Sequence, residues 1–317
     1  MRRTPGFTLV EMLVVLALIG VVLSVVFATV QTTTALYTTD TARVGANRTA
    51  RAVFDSLGSD LQQAGERLPG DVPAVLVKRD ANGQSVLTLR RALVDGALPL
   101  CAPTPDAGTL YVTADNPYAG TIGNGSNAVS NLPAACPTTP FPEAAWNTAI
   151  SALPDTDRLV LIINVKTGVV AGARPLGLST QSGTARQRVR VSALSTTRLD
   201  PRRMNKTDAD SDIRLYLEEE RTYAVNSGVL TLAENANPAQ PAAPDVTRFE
   251  VTPYLSPTTP GGAPTATSLP FPGAGQSWKD LAYLDVALTV RERSGTRTST
   301  RTYTERLTPR NAVSADQ

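Results

Sequence analysis

The run FTLVEMLVVLALIGVVLSVVFATV, from Phe7 to Val30, decides the plan of this chain. Its 24 residues measure about 36 Å as a helix, at ~1.5 Å per residue. A bilayer core is about 30 Å thick and needs about 20 apolar residues, so the segment can span a membrane. Arg2 and Arg3 precede it with no acidic residue, which favours a cytoplasmic N-terminus. A secretory signal peptide would have an apolar stretch of only ~7–15 residues and a small-residue cleavage site behind it. Here Thr29-Val30-Gln31 follows Ala28, and no Ala-x-Ala site closes the run. Glu11 is the odd residue. An ionised carboxylate costs ~2.5–3.5 kcal/mol near the centre of a spanning helix and less toward its end. A plain anchor has no reason to carry it, whereas a helix that must pair with a cation from another chain does.

The helical signal continues past the membrane. No proline occurs between Phe7 and Leu68. Thr32, Thr33 and Thr34 are modest helix formers placed to loosen the junction, and Gly20 is a weak point. Beyond them Phe54, Leu57, Leu61, Ala64 and Leu68 recur at spacings of three and four. Arg48, Arg51, Asp55, Ser59 and Gln62 fall on the other faces. This pattern predicts an amphipathic helix laying one stripe on a core, ended by Gly65 and Pro69-Gly70.

After Pro69 the texture changes to short β-type runs. Asn82-Gly83 and Asn226-Ser227-Gly228 each sit between two such runs and predict hairpins. Asp157 to Val165 reads as a buried central strand. Residues 186–191, 213–217, 248–252, 284–291 and 301–307 supply further strands of one antiparallel sheet. Residues 99–147 and 235–277, rich in Pro, Gly, Ala and Thr, are expected as long surface loops, the first tied down and the second mobile. The fold class is therefore α+β, a long helix packed on an antiparallel head.

Composition removes much of enzymology. The 317 residues include no histidine, which excludes His-dependent nucleophile activation and every His-containing zinc or haem site. Two cysteines are too few for a four-thiolate zinc site or an iron–sulfur cluster. Thirty basic residues against 28 acidic ones give no electrostatic case for a nucleic-acid binder. The cluster from Gly120 to Gly125 lacks the Lys and following helix of a phosphate loop. No cofactor is implied.

Gly6-Phe7-Thr8-Leu9-Val10-Glu11 closely resembles the class III leader junction of type IV pilins and pseudopilins. The resemblance implies that prepilin peptidase cuts between Gly6 and Phe7 and methylates the new amine on Phe7. Glu11 would then neutralise the Phe7 amine of a neighbouring subunit during assembly, and Thr8 fits as the polar residue after the aromatic. The ending from Tyr303 to Asn311 is similar to the last strand of long minor pilins, especially the PilW family, and of the J-type minor pseudopilin. Together these imply a leader at 1–6, a helix at 7–68 with 7–30 transmembrane, and a pilin-like β-rich head at 69–317.

The function so implied is that of a structural subunit, a minor type IV pilin, and not an enzyme. Its partners would be other pilin subunits, prepilin peptidase and the inner-membrane assembly platform. Its place would be the inner membrane as a single-pass protein, head in the periplasm or outside. The alternatives are a J-type pseudopilin of type II secretion and a DNA-uptake pilin. In the latter, Arg186, Arg188 and Arg190 on one strand face would contact DNA phosphates. A solvated or subunit-contacting face is the other reading of those arginines. With the head outside the cytoplasm, Cys101 and Cys136 are expected to form a disulfide. Asp208, Asp210 and Asp212, with Glu219 behind them, read as a solvated acidic turn. The calcium alternative lacks the turn glycine, replaced by Ile213.

Overall fold

The computed structural model describes residues 8–68, 72–94, 97–101, 109–112, 141, 143–155, 158–164, 169–180, 187–193, 213–235, 237–294 and 297–313. Helix α1 runs unbroken over Leu9–Gln63, 55 residues. Neither Gly20 nor the threonine cluster interrupts it. The hydroxyls of Thr29, Thr32, Thr34 and Thr41 donate to carbonyls four residues back at 2.8–2.9 Å, so the helix satisfies them itself. From Leu9 to Val30 every side chain is exposed, and this part is long and apolar enough to cross a membrane. From Ala46 onward one stripe is buried: Ala46, Ala50, Val53, Phe54, Leu57 and Leu61, continued by Ala64 and Leu68. Arg48, Arg51, Asp55, Ser59 and Gln62 face solvent, as the periodicity predicts.

The regular helix stops at Gln63, short of the expected Leu68. Gly65 then takes φ +80°, a left-handed conformation that suits glycine, and donates its N–H to the Arg90 carbonyl at 2.8 Å. The Asn311 amide donates to the Ala64 carbonyl at 3.0 Å and to that of Gln62 at 3.4 Å, capping the helix from the far end of the chain. Asn311 belongs to the short helix Arg310–Val313.

The described residues of the head form two antiparallel sheets where the sequence suggested one. The first joins β1 (Val75–Arg79), β2 (Ser85–Ala92), β3 (Leu98–Pro99), β4 (Thr109–Tyr111), β5 (Leu159–Asn164), β6 (Val169–Thr180), β7 (Gln187–Ala193), β8 (Ile213–Asn226), β9 (Val229–Glu234) and β10 (Gln240–Ala243). Its main order is β1-β2-β8-β5-β6-β7-β4. The second joins β11 (Val246–Leu255), β12 (Thr265–Ala266), β13 (Leu281–Ser294) and β14 (Arg297–Leu307) in the order β12-β11-β13-β14. Both predicted hairpins form. Arg79 pairs with Ser85 around Asn82-Gly83, and Asn226 pairs with Val229 around Ser227-Gly228, whose φ values are +50° and +79°.

Both expected long loops need correction. Residues 99–147 hold β4 and the start of a nine-residue helix, α2 (Glu143–Ser151), whose Trp146 and Ile150 are buried. Residues 235–277 hold β10, β11 and β12, and β11 is an interior strand of the second sheet. Proline and alanine in this stretch hid strands whose positions are set by neighbouring strands rather than by local propensity.

Two cores result. One lies under the α1 stripe and includes Phe249, Trp278, Leu284, Val286 and Leu288. The other lies on the opposite face of the first sheet, closed by Trp146 and Ile150 of α2. Strand β5 divides its side chains between them: Leu161 and Ile163 enter the first core, Val160 and Ile162 the second. A strand buried on both faces reads as a continuous apolar run, which is how Leu159 to Ile163 reads.

Candidate functional site

The N-terminal end of α1 is built by Thr8 and Glu11. Thr8 is the N-cap, and its hydroxyl accepts from the Glu11 N–H at 3.3 Å. The Glu11 carboxylate reaches back and accepts from the Thr8 N–H at 3.2 Å. This is a capping box, two otherwise unpaired amide donors satisfied reciprocally. The Thr-x-x-Glu spacing was visible in the sequence, where the same residues drew notice for another reason. Glu11 thus has a role within its own helix as well as any role toward a neighbour. Gly6 and Phe7 lie outside the described residues.

The other end of the exposed rod is fixed to the head by a buried polar joint that sequence reasoning missed. Asp60, on α1 in the midst of the apolar stripe, is 7% exposed. Its carboxylate accepts from Arg221 at 2.5 Å and from the Tyr223 hydroxyl, both on β8. Ser56, one turn earlier, lies 3.2 Å from the same phenol oxygen. Burial, reinforced by the hydrogen bond to Asp60, pushes the Tyr223 phenol well above its ordinary range.

Arg221 also donates to Glu219 at 2.8 Å, and Glu219 receives Arg91 of β2 at 2.5 and 3.0 Å. Arg91 in turn donates to Gln63 at the end of α1. Beside it Arg90 donates to Glu220 at 2.8 Å and lies 3.5 Å from Glu218. Burial alone would lower the Arg90 pKa, but Glu218 and Glu220 outweigh it and raise it. The register explains the order: Ala92, Arg91, Arg90 and Leu89 stand opposite Glu218, Glu219, Glu220 and Arg221. Opposite charges face each other across two strands, so β8 continues through this charged run, beyond the strand predicted at 213–217. With carboxylates and guanidiniums interleaved, the joint is a clamp between helix and sheet. The Arg90-Arg91 pair on one run and the Glu218-Glu219-Glu220 triplet on the other were the available signal, but their pairing depends on a register that sequence does not state.

The remaining expected residues scatter. Glu219 is committed to Arg91 and Arg221, and Asp208, Asp210 and Asp212 lie outside the described residues; no group of metal-ligating side chains occurs among the described ones. Arg186 is also outside them. Arg188 is half-buried and donates to Ser179 at 3.4 Å, and Arg190 is exposed. Cys101 is fully buried, with its Sγ 3.3 Å from the Val112 carbonyl oxygen, and no described cysteine is a free thiol. Cys136 lies outside the described residues.

A family model described as the prokaryotic N-terminal methylation motif matches residues 1–27. No curated protein and no solved structure matches the chain. The matched segment covers the basic leader, the Gly6-Phe7 junction, Glu11 and most of the apolar run. The chain therefore carries a class III, prepilin-type leader joined to a long apolar helix, and this motif supports a type IV pilin or pseudopilin.

Proposed function

We propose that this chain is a minor type IV pilin, a structural subunit of a pilus or pseudopilus. Prepilin peptidase releases residues 1–6 and methylates Phe7. The mature protein sits in the inner membrane by residues 7–30, with the head on the periplasmic or outer side. Other subunits and the assembly platform then take it into the filament. The observation that carries this reading is α1: one unbroken helix is bare and apolar over its leader-proximal half and buried in a head over the other. Neither an exported enzyme nor a plain anchored domain needs both halves on one rod. The head size and the β14 ending favour the long minor pilins of the PilW type over a shaft subunit.

In the same reading Cys101 pairs with Cys136 and ties residues 102–135 to the first sheet. Complete burial of Cys101 supports this pairing. Closing that ring stabilises the head by roughly 3–4 kcal/mol on the chain-entropy account.

The test is the mass of the protein purified from its membrane. A chain beginning at N-methylated Phe7 is expected. An intact Met1, or a cut after Ala28, would overturn the reading.

A further inference from the structure

Strands β13 and β14 run back from the head toward the apolar half of α1. Their Leu284–Leu307 end meets the helix near Gly58, where an added β-carbon would lie 3.7 Å from Leu307 Cδ2. Asn311 follows and caps Gln62 and Ala64. The opposite end pairs Arg297 with Ser294. Between the two ends the Arg291 N–H donates to the Asp245 carbonyl at 2.7 Å, and the neighbouring Pro244 lines one cavity with Thr49. As α1 goes back from Gly58 to Thr49, β13 therefore goes from Leu284 to Arg291.

Among the described residues this lower end carries Arg291, Arg293 and Arg301 and one acid, Glu292. Glu292 is buried and accepts from the Ser299 hydroxyl at 3.2 Å, so it is withdrawn from the surface. Arg293, its side chain 64% exposed, lies 3.3 Å from Asp245. Arg301 is exposed and makes no ion pair among the described residues. Arg43 and Arg48 are exposed on the adjoining stretch of α1, with Asp40 3.8 Å from Arg43. Over the whole chain 30 basic residues meet 28 acidic ones, so the excess here is local.

Ten residues at ~3.4 Å carry β13 about 34 Å from Leu284 to Ser294. Gly58 stands about 42 Å beyond Val30 along α1, at ~1.5 Å per residue. The arginine end thus lies roughly 10–20 Å past the apolar run, the larger figure allowing for an oblique crossing of helix and sheet. A headgroup layer fills ~5–8 Å of that interval, and extended arginine side chains take up much of the remainder. Leu36 and Tyr37, 61% and 73% exposed, stand in the same interval, an apolar and aromatic pair suited to a membrane–water interface.

We propose that Arg291, Arg293 and Arg301, with Arg43 and Arg48, hold the head against anionic phospholipid headgroups of the membrane that α1 spans, a reading that rests on the membrane placement proposed above.

The test uses the full chain in lipid nanodiscs, one copy per disc, made of phosphatidylcholine alone or mixed with phosphatidylglycerol. A fluorophore on Thr298→Cys reports closeness to a quencher on the lipid headgroups, and the same label on Thr308→Cys marks the far end. The Thr298 label should be quenched at least twofold more in the anionic discs, and the Thr308 label equally in both. Each arginine near an anionic surface favours the docked head about fivefold. Arg293→Glu combined with Arg301→Glu should therefore return the Thr298 signal to its phosphatidylcholine level. Salt at about 1 M, where the Debye length falls to ~3 Å, should do the same. Equal quenching in the two lipids, or quenching that survives the double reversal, would overturn the proposal and leave the membrane placement standing. Quenching that appears only with a second copy in the disc would also overturn it, assigning these arginines to a neighbouring subunit. A chain that does not enter the discs would sink the proposed function and this inference together.

Discussion

The six-membered ring of Trp278 lies so close to Gly65 that a β-carbon there would fall 2.1 Å from ring atom Cη2. Gly65 also holds φ +80°, and Trp278 is 1% exposed, so neither backbone nor ring can yield. Gly65→Ala should therefore cost about 2–5 kcal/mol, joining a left-handed strain of ~1–2 to an overpacking cost of ~1–3. The shift of the urea unfolding midpoint, followed by tryptophan fluorescence, checks it. An unchanged midpoint would show that the helix end can be rebuilt without this approach.

Asp60 offers the second prediction. Asp60→Ala leaves the Tyr223 hydroxyl and part of Arg221 without their acceptor in a largely dry joint. Removing one partner of a buried pair costs ~3–5 kcal/mol, and Arg221, with its side chain 32% exposed, can turn to water. A loss of about 2–4 kcal/mol is expected. Asp60→Ala and Tyr223→Phe should be non-additive in a double-mutant cycle, and simple additivity would deny the contact.

Tyr223 gives a pH dependence whose sign follows from its raised phenol pKa. The folded state holds the phenolic proton more tightly than the unfolded chain, which releases it near pH ~10. Its contribution is full below that value and is lost as pH rises from there toward the higher folded-state value. Unfolding measured at pH 8 and at pH 11 should show a smaller alkaline loss in Tyr223→Phe than in the parent. Equal losses would place the phenol in water.

Glu11 separates two roles. Glu11→Gln retains the capping box, since glutamine can reach the Thr8 N–H as glutamate does, but it removes the charge. Under the proposed function both Glu11→Ala and Glu11→Gln insert into the membrane normally and enter filaments poorly. Normal assembly of the Gln variant with failure of the Ala variant would assign Glu11 to its own helix start instead.

A head fragment beginning at Thr38 should fold, because the stripe from Ala46 to Leu68 comes with it. One beginning at Pro69 loses Phe54, Leu57, Leu61 and Leu68, each worth ~1.5–3 kcal/mol of burial, together comparable to a whole domain's stability of roughly 5–15 kcal/mol. It should aggregate or stay unfolded. A cooperative melt matching that of the longer fragment would mean that α1 is not part of the core.

What could be read in advance was whatever is written locally. The stripe on α1, the two glycine-bearing hairpins and the apolar run of β5 each follow from spacing or turn chemistry within about ten residues. The middle of β8 was left out of the predicted strands because Glu218, Glu219, Glu220 and Arg221 show no apolar alternation, and their partners Arg90, Arg91 and Asp60 come from far along the chain. Strands β10 and β12 and the ends of β11 beyond 248–252 were lost for a related reason: Pro241, Pro244 and Pro253 argue against a strand, yet all lie within or beside one. Thr8 and Glu11 were found, but the hydrogen bonds that join them were not inferred.

The continuity of α1 sets how the head bears load. A helix of 55 residues is about 82 Å long, without a proline or a break at which to flex. Tension applied to its exposed half runs along the axis into the buried stripe. Phe54, Leu57, Leu61, Asp60 and the capped terminus at Asn311 would then have to slide together across the sheets. Contacts strained in parallel share a force that contacts opened one after another must each carry alone. The joint is arranged to resist pulling in the direction in which the rod points.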